Sequence, residues 1–314
     1  MAYEEIIKKA LALWNFKGAD YNLISGRENN VFRVDYKGEP YALRIHRKGY
    51  HSNEEIWSEL QWMTTLAKGG LSVPIPVLSS SKKSLDIVEG HQVDILTWLP
   101  GSPLGKTTEP LEHTYRTGLF RSIGQEMAQM HTLADEWTPP IGFTRNKWDR
   151  NGLLGDNPIW GRFWENPTLS SNDRKLFSEV REIANNKLKG LENELDYGLI
   201  HADLVRENIL IDGNKVQLID FDDSGFGFRL FDLATTLLKN LDEPDYTLLR
   251  DSLIDGYKLK RNIDETALNL FLLIRAATYV GWIMNRIEEK GSQVRNERFI
   301  LNTRKMAKTY RADQ

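Results

Sequence analysis

Hydrophobic and polar positions repeat with two different periods along this chain, and the change of period divides it. Residues 3–14 carry apolar side chains at helical spacing and predict an opening helix. Up to about residue 98 the pattern is then mainly period two. Residues 21–25, 31–36 and 41–47 read as strands, separated by the turn-prone runs Gly26-Arg27-Glu28-Asn29-Asn30 and Lys37-Gly38-Glu39-Pro40. In the third strand the alternation puts Ala42, Arg44 and His46 on one face and Leu43 and Ile45 on the other. Helical spacing interrupts over residues 53–67, where Ile56, Leu60, Met63 and Leu66 make one apolar face with Glu59 beside it. Val73-Pro74-Ile75-Pro76-Val77 is extended, because its two prolines withhold donors and restrict the residues before them. Strands are expected near 77–80, 85–88 and 92–98. The last is stopped by Pro100-Gly101, the expected hinge between two folding regions, 1–98 and 99–314.

Beyond residue 101 the period becomes helical. Leu119, Ile123, Met127 and Met130 predict a helix over about 111–133, closed by His131, which has no partner near it in sequence and reads as a buried helix-end residue. Another helix begins at Phe231-Asp232-Leu233-Ala234, with Asp232 as N-cap, and the apolar stretch 265–289 reads as core. Residues 141–166 set Trp148, Trp160 and Trp164 among glycines and charges. They fit an acceptor cleft and a core-anchored insertion equally well.

Composition removes several function classes. With 44 acidic and 41 basic residues the formal charge is -3, so no bulk attraction to nucleic acid is expected. The absence of cysteine excludes disulfides, thiolate metal sites and cysteine nucleophiles, and fits a reducing compartment. The N-terminal MAYEEIIKKALALWNF lacks the apolar core of a secretory signal. No run approaches the roughly 18 to 20 apolar residues of a membrane span. A soluble, cytoplasmic protein without a membrane partner is the expectation.

Candidate chemistry concentrates in residues 199–222, LIHADLVRENILIDGNKVQLIDFD. Apolar residues 209–211 and 216–219 flank Asp212-Gly213-Asn214-Lys215, a hairpin pattern whose register would set position 208 opposite 219. Asn208 and Asp220 would then meet at its open end. An amide oxygen with a carboxylate suits Mg²⁺, which takes oxygen ligands and keeps waters and nucleotide phosphates as the others. Asp203, five residues before Asn208 in an expected loop, could take the proton of an incoming hydroxyl.

His201-x-Asp203-x-x-x-x-Asn208 followed by Ile219-Asp220-Phe221-Asp222 resembles the aminoglycoside phosphotransferase and choline kinase family, small-molecule relatives of the protein kinases. A looser likeness, in residues 43–47 and 141–166, is to the branch with homoserine kinase-like enzymes and the bacterial stress-response Ser/Thr kinase. The resemblance implies an α+β, bilobal kinase-like fold: an antiparallel β-sheet N-lobe with one helix and a mainly helical C-lobe. It implies Asp203 as the catalytic aspartate, Asn208 and Asp220 as Mg²⁺ ligands, His201 as a brace of the loop, and Asp232 as a second brace. Ala42 would lie on adenine, with backbone groups near Leu96 and Trp98 facing it, while Ser25, Asn29 and Asn30 would cover the phosphates. Arg44 stands where the family has lysine. Paired with Glu59, it would steady the phosphates, although a planar guanidinium need not reproduce an ammonium's pose. Arg206 would stabilise the migrating phosphoryl group.

The implied activity is ATP- and Mg²⁺-dependent transfer to a hydroxyl of a small molecule, with a protein acceptor also open. Asp242, Glu243 and Asp245 could make an acidic cleft for amino sugars. The missing lysine keeps a second reading, a non-catalytic nucleotide-binding scaffold.

Overall fold

The computed structural model describes residues 3–26 and 29–312, so Arg27 and Glu28 of the first expected turn lie outside the described residues. The chain begins with α1 (Glu4–Leu13), β1 (Asp20–Gly26), β2 (Asn30–Tyr36), β3 (Glu39–Ile45), α2 (Asn53–Lys68), β4 (Pro76–Val77), β5 (Asp86–Val88) and β6 (His91–Thr97). There follow β7 (Ser102–Pro103), α3 (Arg116–Glu136), β8 (Asn146–Trp148), α4 (Arg150–Leu154), α5 (Ser171–Leu191) and β9 (Tyr197–Ile200). The last third holds β10 (Ile209–Asp212), β11 (Lys215–Leu218), β12 (Gly225–Phe228), α6 (Arg229–Leu238), α7 (Tyr246–Lys258), α8 (Leu268–Trp282) and α9 (Ser292–Ala312). Two compact units result. The first runs to Ser102 and takes back Leu133–Arg145 and Ile209–Asp222; the second holds the remainder.

The first unit is built on a six-stranded sheet in the order β1-β2-β3-β6-β4, with β5 also on β6. All its pairings are antiparallel. The period-two pattern of β3 decides its two faces. Leu43 and Ile45 are buried with Phe32, Val34, Val93 and Ile95 against Ile7 and Ala10 of α1 and Trp14 just past its end, while Arg44 and His46 point to the opposite face, where both reach Asp94. Helix α2 starts where its cap chemistry says: the Ser52 hydroxyl accepts from Glu55 N and the Glu55 carboxylate accepts from Ser52 N. Its predicted apolar face, Ile56, Leu60, Met63 and Leu66, is almost wholly buried. The strand expected at 77–80 is shorter, because after Val77 the chain turns so that Ser79 N donates to Lys83 O and Ser80 N to Leu13 O. The hairpin of β10 and β11 has the predicted register, Ile209 opposite Leu218 and Asp212 opposite Lys215.

The second unit is mainly helical and centred on α8, which packs on α6 and α9 and is buried on nearly every side. Residues Leu268–Arg286 reach the length and hydropathy of a membrane span, but 78% of that window is buried in the fold, which makes it a core helix. Helix α3 starts later than the pattern suggests, because Leu111 N donates to the Glu243 side chain ahead of it, and it runs past His131 to Glu136. Helix α6 begins at Arg229 after Phe228, so Asp232 lies inside the first turn and is not its N-cap.

Helices α3 and α7 approach backbone to backbone through two glycines. A Cβ on Gly124 would stand 2.0 Å from Leu253 O, and one on Gly256 would stand 2.0 Å from Arg121 O. In an isolated helix Gly→Ala stabilises by about 0.5–1 kcal/mol. Here Gly124→Ala should instead lower stability by about 1–3 kcal/mol through overpacking, read as a lower denaturant midpoint; a raised midpoint would contradict the close crossing.

Candidate active site

In the first unit the site residues rise from β3 and its neighbours. Ala42 is half-buried and lies opposite Leu96 of β6 in the register. Trp98, just past β6, is half-buried, with the Arg33 guanidinium 5.3 Å from its ring centroid. Asn30 opens β2 opposite Ile45. Arg44 makes the expected ion pair with Glu59, Nη1 to Oε1 at 2.7 Å. Sequence reasoning missed its second partner. Asp94, directly across the β3–β6 register, receives Arg44 Nε and Nη2 at 2.9 Å each and meets His46 Nε2 at 2.6 Å. Burial alone would raise the Asp94 pKa, but Arg44 and then His46 hold it below the ordinary carboxylate value. Of the five N–H groups of the guanidinium, three are thus committed inside the protein.

Asn29 is committed in the same way. It is buried, its Oδ1 accepts from Arg47 N at 3.3 Å and its Nδ2 donates to Asp222 Oδ1 at 3.2 Å, so it works as a tie within the fold rather than as a phosphate donor. The other Asp222 oxygen faces His51 Nε2 at 3.6 Å. Asp222 is therefore a buried polar anchor. Asp220, two residues earlier, is exposed and holds a left-handed backbone with φ 66°, a conformation that costs an aspartate energy and recurs at functional positions.

In the second unit the loop 201–208 is shaped by Asp232. Its carboxylate accepts from two successive backbone amides, His201 N at 2.9 Å and Ala202 N at 2.7 Å, and Ala202 is left-handed with φ 68°. His201 is fully buried and its Nδ1 accepts from Asp203 N at 3.3 Å. His131 is buried and hydrogen-bonded, as read from the sequence, and its two partners are remote: Nε2 lies 3.0 Å from Asp232 Oδ2 and Nδ1 lies 2.8 Å from the Tyr257 hydroxyl. Burial pulls its pKa down to about 4, with Arg229 adding to the effect. A neutral ring donates from Nε2 to Asp232 and accepts at Nδ1 from Tyr257. These partners come from α6 and α7, about a hundred residues and more along the chain, so no local pattern could have revealed them.

Asp203 stands on this braced loop with its side chain 24% exposed. Asn208 donates from Nδ2 to Asp203 O at 2.9 Å and to Asp203 Oδ2 at 3.2 Å. This spends the donor end of the amide and leaves Oδ1, the end a hard cation takes. Arg275 of α8, which sequence reasoning missed, donates from Nη2 to Asp203 Oδ1 at 2.7 Å and to the Tyr279 hydroxyl at 2.8 Å. Its guanidinium is fully buried in an aromatic box, with Cζ 4.2 Å from the Tyr279 centroid, 4.4 Å from Trp160 and 5.0 Å from Phe231. Cation–π attraction offsets part of the desolvation. The tryptophans of the irregular segment are therefore core: Trp148 is fully buried on Phe231, and Trp160 forms one wall of the box. The only signal for Arg275 in the sequence is a charge in the middle of an apolar helix.

Arg206 departs from its expected role. It is buried, with Nε on Asn240 Oδ1 at 2.8 Å, Nη1 on Glu109 O at 2.7 Å and Nη2 on Glu243 Oε1 at 2.6 Å. Its donors hold the fold together instead of facing a phosphoryl group. The three carboxylates that could have made an acidic cleft each face a cation. Glu243 pairs with Arg206 and Arg116, Asp245 with Arg116, and Asp242 with Lys305. Among the described residues no group of three or more His, Asp or Glu forms a metal cage.

Comparison with known proteins agrees with this geometry. Residues 21–270 match the model of the phosphotransferase enzyme family. Amicoumacin kinase of Bacillus subtilis is 25% identical over 243 residues, 77% of this chain and 69% of that protein. Homoserine kinase of Sinorhizobium medicae is 25% identical over 289 residues, 88% of this chain and 79% of that one. The solved structure of a microcompartment-associated aminopropanol kinase superposes with a TM-score of 0.85 at 27% identity, covering 98% of this chain and 97% of that one. With its antiparallel sheet region and its helical region, the protein has the kinase-like fold of these small-molecule phosphotransferases, and the chain belongs to the phosphotransferase enzyme family.

Proposed function

We propose that this enzyme transfers the γ-phosphoryl group of ATP, with Mg²⁺, to the hydroxyl of a small molecule in the cytoplasm. The reading rests on Asp203: a partly exposed carboxylate on a rigidly braced loop, oriented from one side by Arg275 and Tyr279 and from the other by Asn208. Asp203 would accept the proton of the acceptor hydroxyl as its oxygen bonds the γ-phosphorus and the bond to the bridging oxygen of ADP breaks. Transfer of this kind proceeds through a loose transition state, in which positioning and electrostatics carry most of the catalysis. Orienting the carboxylate therefore matters more than raising its basicity. Asn208 and Asp220 would hold Mg²⁺, which supplies charge neutralisation to the phosphates when bound. Ala42, Leu96, Trp98 and Asn30 would line the nucleotide, and Arg44 would offer the phosphates only the N–H groups that Glu59 and Asp94 leave over. Arg206 is assigned to the architecture. A non-catalytic scaffold would have no use for a buried arginine spent on aiming Asp203.

Three outcomes test this. Asp203→Asn should keep ATP binding and lose transfer by about 10²–10⁴-fold, the range of a lost general base; retained turnover would place the base elsewhere. Arg275→Met should reduce kcat by more than it changes KM for ATP, because it disorients the carboxylate without touching nucleotide. Glu59→Gln should raise the Kd for ATP roughly tenfold by releasing Arg44 from one of its charge-assisted bonds, and an unchanged Kd in a titration would remove Arg44 and Glu59 from the nucleotide site.

A further inference from the structure

Two cations beside Asp203 have no use in this mechanism. Lys239 follows the end of α6 and Arg298 lies on α9, and both are partly exposed. Among the described residues neither side chain makes a hydrogen bond or an ion pair. Both rest on one aromatic stack. Lys239 Nζ is 3.7 Å from the Tyr279 ring centroid and 5.6 Å from that of Phe299, Arg298 Cζ is 5.6 Å from Phe299, and the two rings stack at 5.0 Å. The same Tyr279 carries its hydroxyl to 3.4 Å from Asp203 Oδ1, so a single phenol ring separates the lysine from the carboxylate.

Among the described residues no acid makes an ion pair with either cation; Asp203 and Glu207 act on them only from beyond ion-pair distance. Asp203 is taken by Arg275, and Glu207 accepts from Thr107 N and Oγ1 at 2.8 and 2.9 Å. Burial pulls the Lys239 pKa down to about 7; nearby Asp203 and Glu207 oppose this, while Arg275 and Arg298 add to it. Burial also lowers Arg298, with Glu207 opposing and the neighbouring Arg295 adding to it. Arg298 repels Lys239, and an anion seated on the two would relieve that repulsion and hold the lysine protonated.

We propose that Lys239 and Arg298 seat the carboxylate of the acceptor, which is a small hydroxy acid such as a hydroxyl-bearing amino acid, presenting its hydroxyl one ring's length away at Asp203. This rests on the phosphotransferase reading above. A phosphate of the nucleotide would offer similar oxyanion chemistry, and the experiment separates the two sources.

Phosphoryl transfer from ATP is measured with two pairs of acceptors that differ only in the carboxylate: L-homoserine against 3-aminopropan-1-ol, and L-threonine against 1-aminopropan-2-ol. The enzyme should prefer the acid of at least one pair by roughly ten- to a hundredfold in kcat/KM, the worth of hydrogen bonds to a charged group. Lys239→Met and Arg298→Met should each remove most of that preference through KM for the acceptor, with KM for ATP unchanged. Equal or better use of the amino alcohols, or a rise in KM for ATP in place of that for the acceptor, overturns the proposal. Calorimetric titration of the two acids, with circular dichroism to verify folding, gives an arm independent of turnover. Binding that is lost in Lys239→Met supports the seat even if nothing is phosphorylated, a result that would sink the proposed function alone; no binding, or binding indifferent to the substitution, sinks the seat.

Discussion

The second unit depends on one buried carboxylate. Asp232 accepts from two consecutive amides of the 201–203 segment and faces His131, whose other nitrogen meets Tyr257. Hydrogen bonds to a buried charge are strong, and leaving one unmet is costly, so this arrangement holds Ala202 in a left-handed conformation that an alanine would otherwise avoid. Once that turn is set, Asp203 has a defined direction. The helices that carry Asp232, His131 and Tyr257 thereby act on the loop without touching the chemistry.

The same economy recurs with charge. Arg44, Arg206 and Arg275 are all buried, and each is satisfied differently: Arg44 by two carboxylates, Arg206 by carbonyls, an amide and Glu243, and Arg275 by one carboxylate, one phenol and three aromatic faces. A guanidinium is suited to such sites because it is weakly hydrated, planar and able to stack. The consequence for function is a sorting of cations. Arg206 is spent on architecture, Arg44 and Arg275 are tied to carboxylates, and Lys239 and Arg298 make no hydrogen bond or ion pair among the described residues.

Patterns that depend on neighbours in sequence were readable in advance. The β10–β11 hairpin, its register, the two faces of β3 and the apolar stripe of α2 follow from periods and turn residues alone. The Arg44–Glu59 pair was legible too, through resemblance. What escaped were partners brought together over long separations: Asp94 for Arg44, Asp232 and Tyr257 for His131, Glu243 for Arg206, and Arg275 for Asp203. Arg206 shows the cost most plainly, since a cation three residues after Asp203 looks reactive until its acceptors are known.

By itself the sequence determined where strands and helices form, which faces are apolar, and which residue types could perform phosphoryl transfer, because periodicity, turn propensity and motif spacing are local properties of the chain. Only the tertiary structure decided which polar groups are already spent and which remain to meet a ligand. That distinction is set by desolvation and by hydrogen-bond partners drawn from distant segments, and neither is written in the spacing of nearby residues.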